Sequence, residues 1–377
     1  EETASERGEG ESIAPMEREP VHVERGFWVR PFVVELLSAL GVALLYWWEV
    51  VQGGLLPVAG PPHVLAGLTI TFHMQWFCHT VLAWLMLAAS LIDADEKLIP
   101  DEITVPGTLF GLTAAAIYPF ALLPVIVQDN NRLSLDFLHT FSPYDWPHWL
   151  DGFPHGTALV LALVLWWLWC VALMDRPLYL SWGWGHAMAH LCSRLLRSPS
   201  TWRLVKLGLL GSAAIVGIWF RGGANWTGLL ASLIGLAAGG GLIWMVRVIG
   251  AVVLQREAMG FGDVILLSMI GTLVGWQSCV VIFFLAPVAG LVLGLFQLVL
   301  RRENEIPYGP FLCLASMVLI VAWRPIWNWI EPTLLVMGWI APLLVAMCLP
   351  AMALLLWLWR LLRELLLWLF GLLRGPS

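Results

Sequence analysis

Apolar residues in this chain come in long blocks separated by short polar breaks, with no sustained alternation between polar and apolar positions. The blocks lie near 33–52, 64–92, 104–127, 155–174, 204–220, 226–254, 262–277, 279–300, 308–323 and 333–357. About 20 apolar residues suffice for a helix to cross a bilayer. The pattern therefore predicts an all-α, polytopic integral membrane bundle of about ten transmembrane helices. Composition agrees: 59% of residues are hydrophobic and 12% charged, whereas soluble domains carry about 25% charged residues. The first apolar run starts only near Phe32, so no signal peptide is visible, and residues from Glu1 to Pro20 read as a polar arm. A chain that opens on Glu1 without Met reads as a fragment or processed form.

Charge adds an orientation. With the N-terminus in the cytoplasm, every Lys and Arg except Arg132, Arg221 and Arg324 falls on the inner side or within a span bordering it. Short cytoplasmic loops are the ones enriched in Lys and Arg, so both termini are expected inside. A net charge of −6 makes nucleic acid an improbable partner. The polar breaks divide the chain into an arm (1–29), a first membrane part (30–127), an inserted part (128–225), a second membrane part (226–323) and a C-terminal helix with an amphipathic tail (324–377). The insertion holds an acidic outer loop and an inner segment, 175–203, where Trp182, Trp184 and Trp202 stand among arginines as in a surface-lying stretch. Many of the 24 tryptophans cluster near span ends, as interfacial belts do. Gly235 and Gly239 have the spacing of close helix packing.

Two polar sites stand out at the ends of apolar runs. The first is Asp93-Ala94-Asp95-Glu96-Lys97-Leu98-Ile99-Pro100-Asp101, closing the second block; the second is Met259-Gly260-Phe261-Gly262-Asp263, opening the seventh. A carboxylate in a membrane helix costs roughly 2.5–3.5 kcal/mol or more near the centre and is a functional suspect by default. Four crossings separate Asp93 from Asp263, so both lie at the cytoplasmic face. Paired aspartates can hydrolyse a peptide: one carboxylate activates water while the other, protonated, polarises the carbonyl, and the pair shares a proton because like charges at short range do not both ionise. Gly260 and Gly262 lack Cβ atoms and would let a backbone approach Asp263. Pro100 stops the helix after the first acids. Either motif alone is also what ordinary solvated loop acids look like; a third inner-face pattern, Ile306-Pro307-Tyr308-Gly309-Pro310, strengthens the set.

Together these motifs resemble the type IV prepilin peptidases, membrane aspartyl proteases of the GxGD type. The matching residues are Asp93, Ile99, Pro100, Asp101, Thr104, Pro106, Gly107 and Gly111, then Met259 to Val264 through Gly271 and Gly275-Trp276-Gln277, then Ile306 to Pro310; Arg30 to Leu37 also resembles the stretch before the family's first catalytic span. The resemblance implies that Asp93 and Asp263 are the catalytic pair, with Asp95 and Asp101 as fallbacks or site-shaping residues beside Gly260, Gly262, Pro100, Pro307 and Gly309. It implies no metal and no cofactor. It implies a place in the bacterial inner membrane and, as substrate, a type IV prepilin or a type II secretion pseudopilin cut at its basic leader. The chain departs from the family in three places: an insertion between the acids, Ile265 where a lysine is usual, and no paired cysteines upstream of Phe32. The last implies cleavage without N-methylation. Two rivals from other classes are a non-catalytic assembly component of a pilus or secretion system, and a proton-relaying transporter. The oligomeric state is open.

Lesser constellations have bland readings. Cys78, Cys170, Cys192, Cys279, Cys313 and Cys348 form no CxxC pair and read as buried small hydrophobes. His186 and His190 share a helical face near Cys192, two ligands without a clear third. His73 and His79 read as packing or hydrogen-bonding residues. Asp95, Glu96, Glu102, Glu257, Glu303 and Glu305 make the inner rim acidic, a feature suited to a basic leader.

Overall fold

A computed structural model of the chain describes residues 29–56, 67–129, 132–174, 199–254, 259–300, 307–338 and 340–373. It divides into two units, residues 1–43 and 44–377. The described part of the first unit is helical and largely exposed, with the Ser38 hydroxyl bonded to the Val34 carbonyl at 2.7 Å. In chain order the elements are α1 (Val29–Tyr46), a π-helical turn (Trp47–Val51), α2 (Thr69–Glu96), α3 (Asp101–Ile117), β1 (Pro124–Asp129), β2 (Arg132–Phe137), α4 (Gly156–Ala172), α5 (Pro199–Arg221), α6 (Gly223–Leu254), α7 (Phe261–Leu300), α8 (Gly309–Val321), α9 (Trp323–Met337) and α10 (Ile340–Leu373). The chain is an all-α, polytopic membrane protein. Among the described residues, six helices are long and apolar enough to cross a membrane, or up to seven when α8 and α9 count as one bent span. Not all of the ten expected spans have that length.

Three departures from the hydropathy pattern have local causes. The expected helix 104–127 ends at Ile117, because Pro119 and Pro124 follow and cannot donate to a helical ladder. The chain instead forms an antiparallel hairpin in which Pro124 faces Phe137 and Val127 faces Ser134. The blocks 262–277 and 279–300 form one element, α7, interrupted at Gly275 (φ 78°, ψ 169°), a conformation open to glycine. Its arms double back: the Cys279 sulfur stands 3.0 Å from where a Gly271 Cβ would be, whereas eight residues of straight helix rise about 12 Å. Finally, α9 precedes α10 and is bent 84° from α8. The Tyr144 hydroxyl donates toward the carbonyls of Leu334 (3.1 Å) and Leu335 (2.9 Å), tying α9 to the segment after the hairpin.

The turn at Gly275 is held by that same segment. The Trp276 indole donates to the Thr140 carbonyl at 2.8 Å and the Gln277 amide to the His139 carbonyl at 2.9 Å, while the Trp323 indole donates to the Pro124 carbonyl at 2.8 Å. One buried cluster joins α2, α7 and α8 through Leu82, Met86, Ile99, Leu266, Ile270, Ile282, Leu312 and Leu319. A second joins α3, α4, α5 and α6 through Leu112, Ala162, Trp166, Trp219, Trp226 and Leu233. Several tryptophans expected at the interface are thus internal, and two of them have paired N–H groups: Trp166 with the Gly208 carbonyl at 2.9 Å, Trp226 with that of Leu150 at 2.7 Å. A buried indole needs such a partner.

Between α6 and α7 the helices meet backbone to backbone. A Cβ on Gly235 would collide with the Gly271 carbonyl oxygen, and one on Gly239 with that of Leu267. Small residues permit this approach, and it replaces the hydrophobic drive that lipid-immersed helices lack. We expect Gly235→Leu to destabilise the protein by about 1–3 kcal/mol through overpacking. Gly217→Ala, where a Cβ meets nothing within 4 Å, should leave stability level or slightly raised; midpoints of denaturation in detergent would compare the two.

Candidate active site

The last turn of α2 carries Asp93 into the interior, 6% exposed, while Asp95 and Glu96 on the following positions face outward. Lys97 ends the helix in the left-handed region (φ 54°), its N–H bonded to the Asp93 carbonyl at 2.9 Å. That conformation reverses the chain as a helix C-cap does. Ile99 is thereby turned inward, 6% exposed. Pro100, extended at ψ 140°, then starts α3, with Asp101 and Glu102 in its first turn, where acids suit the positive end of the helix. Asp101 is exposed and opens α3.

Asp263 is the third residue of α7 and also 6% exposed. Its carboxylate accepts the backbone N–H of Gly260 just before the helix, the arrangement of an N-terminal capping box. Gly262 stands against Ile99, whose Cβ would lie 2.8 Å from a Gly262 Cβ. On the other side, the Gly309 N–H at the start of α8 donates to Asp93 Oδ2 at 3.2 Å. A Cβ on Gly309 would stand 2.5 Å from that oxygen and 3.0 Å from Ile99 Cδ1. Ile99 is therefore packed between two glycines, one beside each aspartate.

The ends of α2, α7 and α8 thus converge, and the two aspartates come within range of each other's charge. Cys313 feels both, and Tyr308 feels Asp263. Pro307, half-buried, leads into Tyr308 and Gly309. Every expected site residue is therefore at this end of the bundle, with Asp93, Asp263 and Gly309 in its interior, Gly262, Pro100 and Pro307 half-buried, and Gly260, Asp95 and Asp101 at its exposed edge. Ile99, whose role was not singled out from the sequence, is the part that joins the two motifs. Ile265 is a core residue, 4% exposed.

Of the other constellations, His186, His190, Cys192, Trp182, Trp184, Glu257, Glu303 and Glu305 lie outside the described residues. Among the described residues no group of three His, Cys, Asp or Glu side chains is arranged for a metal ion. His73 bonds the Thr69 carbonyl at 2.7 Å. His79 does more: its Nδ1 lies 2.9 Å from Oε1 of Glu49, and both side chains are wholly buried. Glu49, an acid inside the apolar run Val42 to Val51, was the available signal.

Comparison with known proteins bears on this site. Residues 200–295, which include Asp263, match the type IV leader peptidase family. A prepilin leader peptidase/N-methyltransferase of Aeromonas salmonicida is 27% identical over 160 residues, covering 41% of this chain and 55% of that protein. One of Pseudomonas aeruginosa is 30% identical over 158 residues, covering 38% and 53%. Over these stretches the chain is similar to the type IV leader peptidase family. It spans about half the length of these leader peptidase relatives. No solved structure matches the chain.

The buried Glu49–His79 contact offers a test of the interior. Removing one member of a buried polar pair strands the other, at about 1–3 kcal/mol. We expect His79→Leu alone to lower stability by that order, and Glu49→Leu/His79→Leu to cost distinctly less, read as a double-mutant cycle of denaturation midpoints.

Proposed function

We propose that this chain is an aspartyl endopeptidase of the membrane that removes the basic leader of type IV prepilin or pseudopilin substrates. The observation that carries the proposal is the convergence of two buried carboxylates, Asp93 and Asp263, from separate motifs onto one end of the bundle. The names of the relatives, prepilin leader peptidases, supply the substrate class. The concentration of Lys and Arg on the aspartate side supports a site facing the cytoplasm of the bacterial inner membrane. The segment 128–225 stands in this proposal as an insertion between two halves of the peptidase.

Each part of the chemistry has a residue. One of the two carboxylates takes a proton from water as its oxygen attacks the scissile carbonyl carbon; the other, protonated, gives its proton to the carbonyl oxygen. Collapse of the tetrahedral species returns a proton to the leaving nitrogen and breaks the C–N bond. The Gly309 N–H fixes Asp93, and the Gly260 N–H fixes Asp263, so neither carboxyl has to be ordered during reaction. The exposed acids Asp95, Glu96 and Glu102 sit at the edge of the site, where their charge suits a basic leader. Methyl transfer, which the relatives' names include, is no part of this chemistry.

Asp93→Asn and Asp263→Asn should each reduce cleavage of a basic-leader prepilin to background in detergent, with insertion and melting unchanged. Full activity in either variant would remove the dyad from the reading. Neutralising Glu96 and Glu102 should raise KM at low salt and flatten its dependence on ionic strength, since exposed charges act through a field that salt screens.

A further inference from the structure

Tyr308 is a polar side chain near the aspartates that neither aspartate motif accounts for. It is the residue before Gly309, whose N–H holds Asp93, and it caps α8 with a helical backbone (φ −83°, ψ −27°). Its ring is partly buried and packed against the cluster that contains Ile99, Val264 and Phe311. Its hydroxyl is closed off from solvent and has no hydrogen-bond partner among the described residues, although it stands within range of the Asp263 charge. A buried hydroxyl left unpaired costs about 1–3 kcal/mol, and such a group needs an explanation. Phe at this position would fill the same space at no such cost.

We propose that Tyr308 is a hydrogen-bond donor to the reacting substrate, holding the scissile carbonyl oxygen as charge develops on it; this rests on the aspartyl peptidase reading above. The two aspartates account for the protons: one accepts from water, the other donates to the carbonyl oxygen. Neither leaves a second donor for that oxygen while the bond to water forms and the C=O electron pair moves onto oxygen. Tyr308 supplies it and keeps its own proton throughout, so nothing is gained or lost at the phenol. Free of substrate, the hydroxyl has no partner among the described residues; with substrate in place, the carbonyl oxygen becomes one. A donor placed in advance at a dry site strengthens as charge develops and needs no reorganisation. The position also suits the fold, because Pro307 and Pro310 restrict the backbone on either side and the same turn sets Asp93.

The test is steady-state cleavage of a basic-leader prepilin peptide by the purified full chain. Tyr308→Phe is compared with wild type, Asp93→Asn and Asp263→Asn, and binding of a hydroxyethylene peptide that mimics the tetrahedral species is measured on each. Loss of one such donor lowers kcat on the order of 100- to 1,000-fold in other hydrolases. We expect Tyr308→Phe to lose at least tenfold in kcat with KM within twofold, and to bind the mimic correspondingly less tightly, at an unchanged melting midpoint. A kcat within twofold of wild type, beside inactive aspartate variants, overturns the role of Tyr308 and leaves the dyad standing. Weaker catalysis with unchanged binding of the mimic overturns it too, as a packing effect. Active aspartate variants overturn the dyad itself.

Discussion

The site depends on two missing Cβ atoms. Gly262 and Gly309 leave room for Ile99, and Ile99 fills it from the loop that follows the first aspartate. A methyl group at either glycine would push that side chain away, and at Gly309 it would also press on Asp93 Oδ2. Close-packed interiors absorb such a change only by shifting backbone. The loop, the start of α7 and the start of α8 are therefore fixed relative to one another by a hydrophobic contact, and the polar contacts to Asp93 and Asp263 follow from it. Lys97 shows how firmly the loop is specified: a residue with a side chain accepts the left-handed region there, at a cost glycine would avoid.

Beyond the site, the same constraint governs how the helices come together. Lipid gives apolar side chains no reason to leave it, so association rests on close packing and on buried polar groups finding partners. The α6–α7 contact uses glycine against carbonyl; Ser232 adds a hydrogen bond to the Thr272 carbonyl at 2.6 Å. The turn at Gly275 returns the second arm of α7 along the first, and Gly290 then stands 3.2 Å from Phe311 if given a Cβ. The second arm thus comes back to the end of the bundle where α8 begins and the aspartates lie.

Much of this was legible in the sequence because membranes simplify it. Blocks of apolar residues mark helices, and acids at block ends mark the exceptional positions; Asp93, Asp263 and the glycine motifs were found on that basis, and the Gly235/Gly239 spacing marked the tight helix contact. What was missed involves signals that hydropathy averages away. The first strand of the hairpin Pro124–Phe137 was read through residue 127 as the end of a helix, although Pro119 and Pro124 stand against one, and the rest was read as an outer loop. Helix α9 carries Arg324, Asn328 and Glu331 among its apolar residues and fell between two predicted spans. Glu49 was passed over inside an apolar run, although it is wholly buried against His79. Ile99 could not be singled out, because its importance lies in what glycines 163 and 210 residues further along do not have.

The segment 128–225, an insertion in the proposed reading, packs so that Asp93 and Asp263 stay together. Its helices, α4 and α5, pack with α3 and α6 through a cluster of their own, built on Trp166, Trp169, Trp219 and Trp226. The cluster around the aspartates draws instead on α2, α7 and α8. The two meet through α3 and α6: Gly111 of α3 lies against Thr272 of α7, and Gly235 of α6 against Gly271. A helix pair added on the far side of α3 and α6 leaves those glycine contacts intact, and a pair, unlike a single helix, returns the chain to the face it left. Both conditions are needed for Asp263 to begin its helix beside the loop that ends at Asp93.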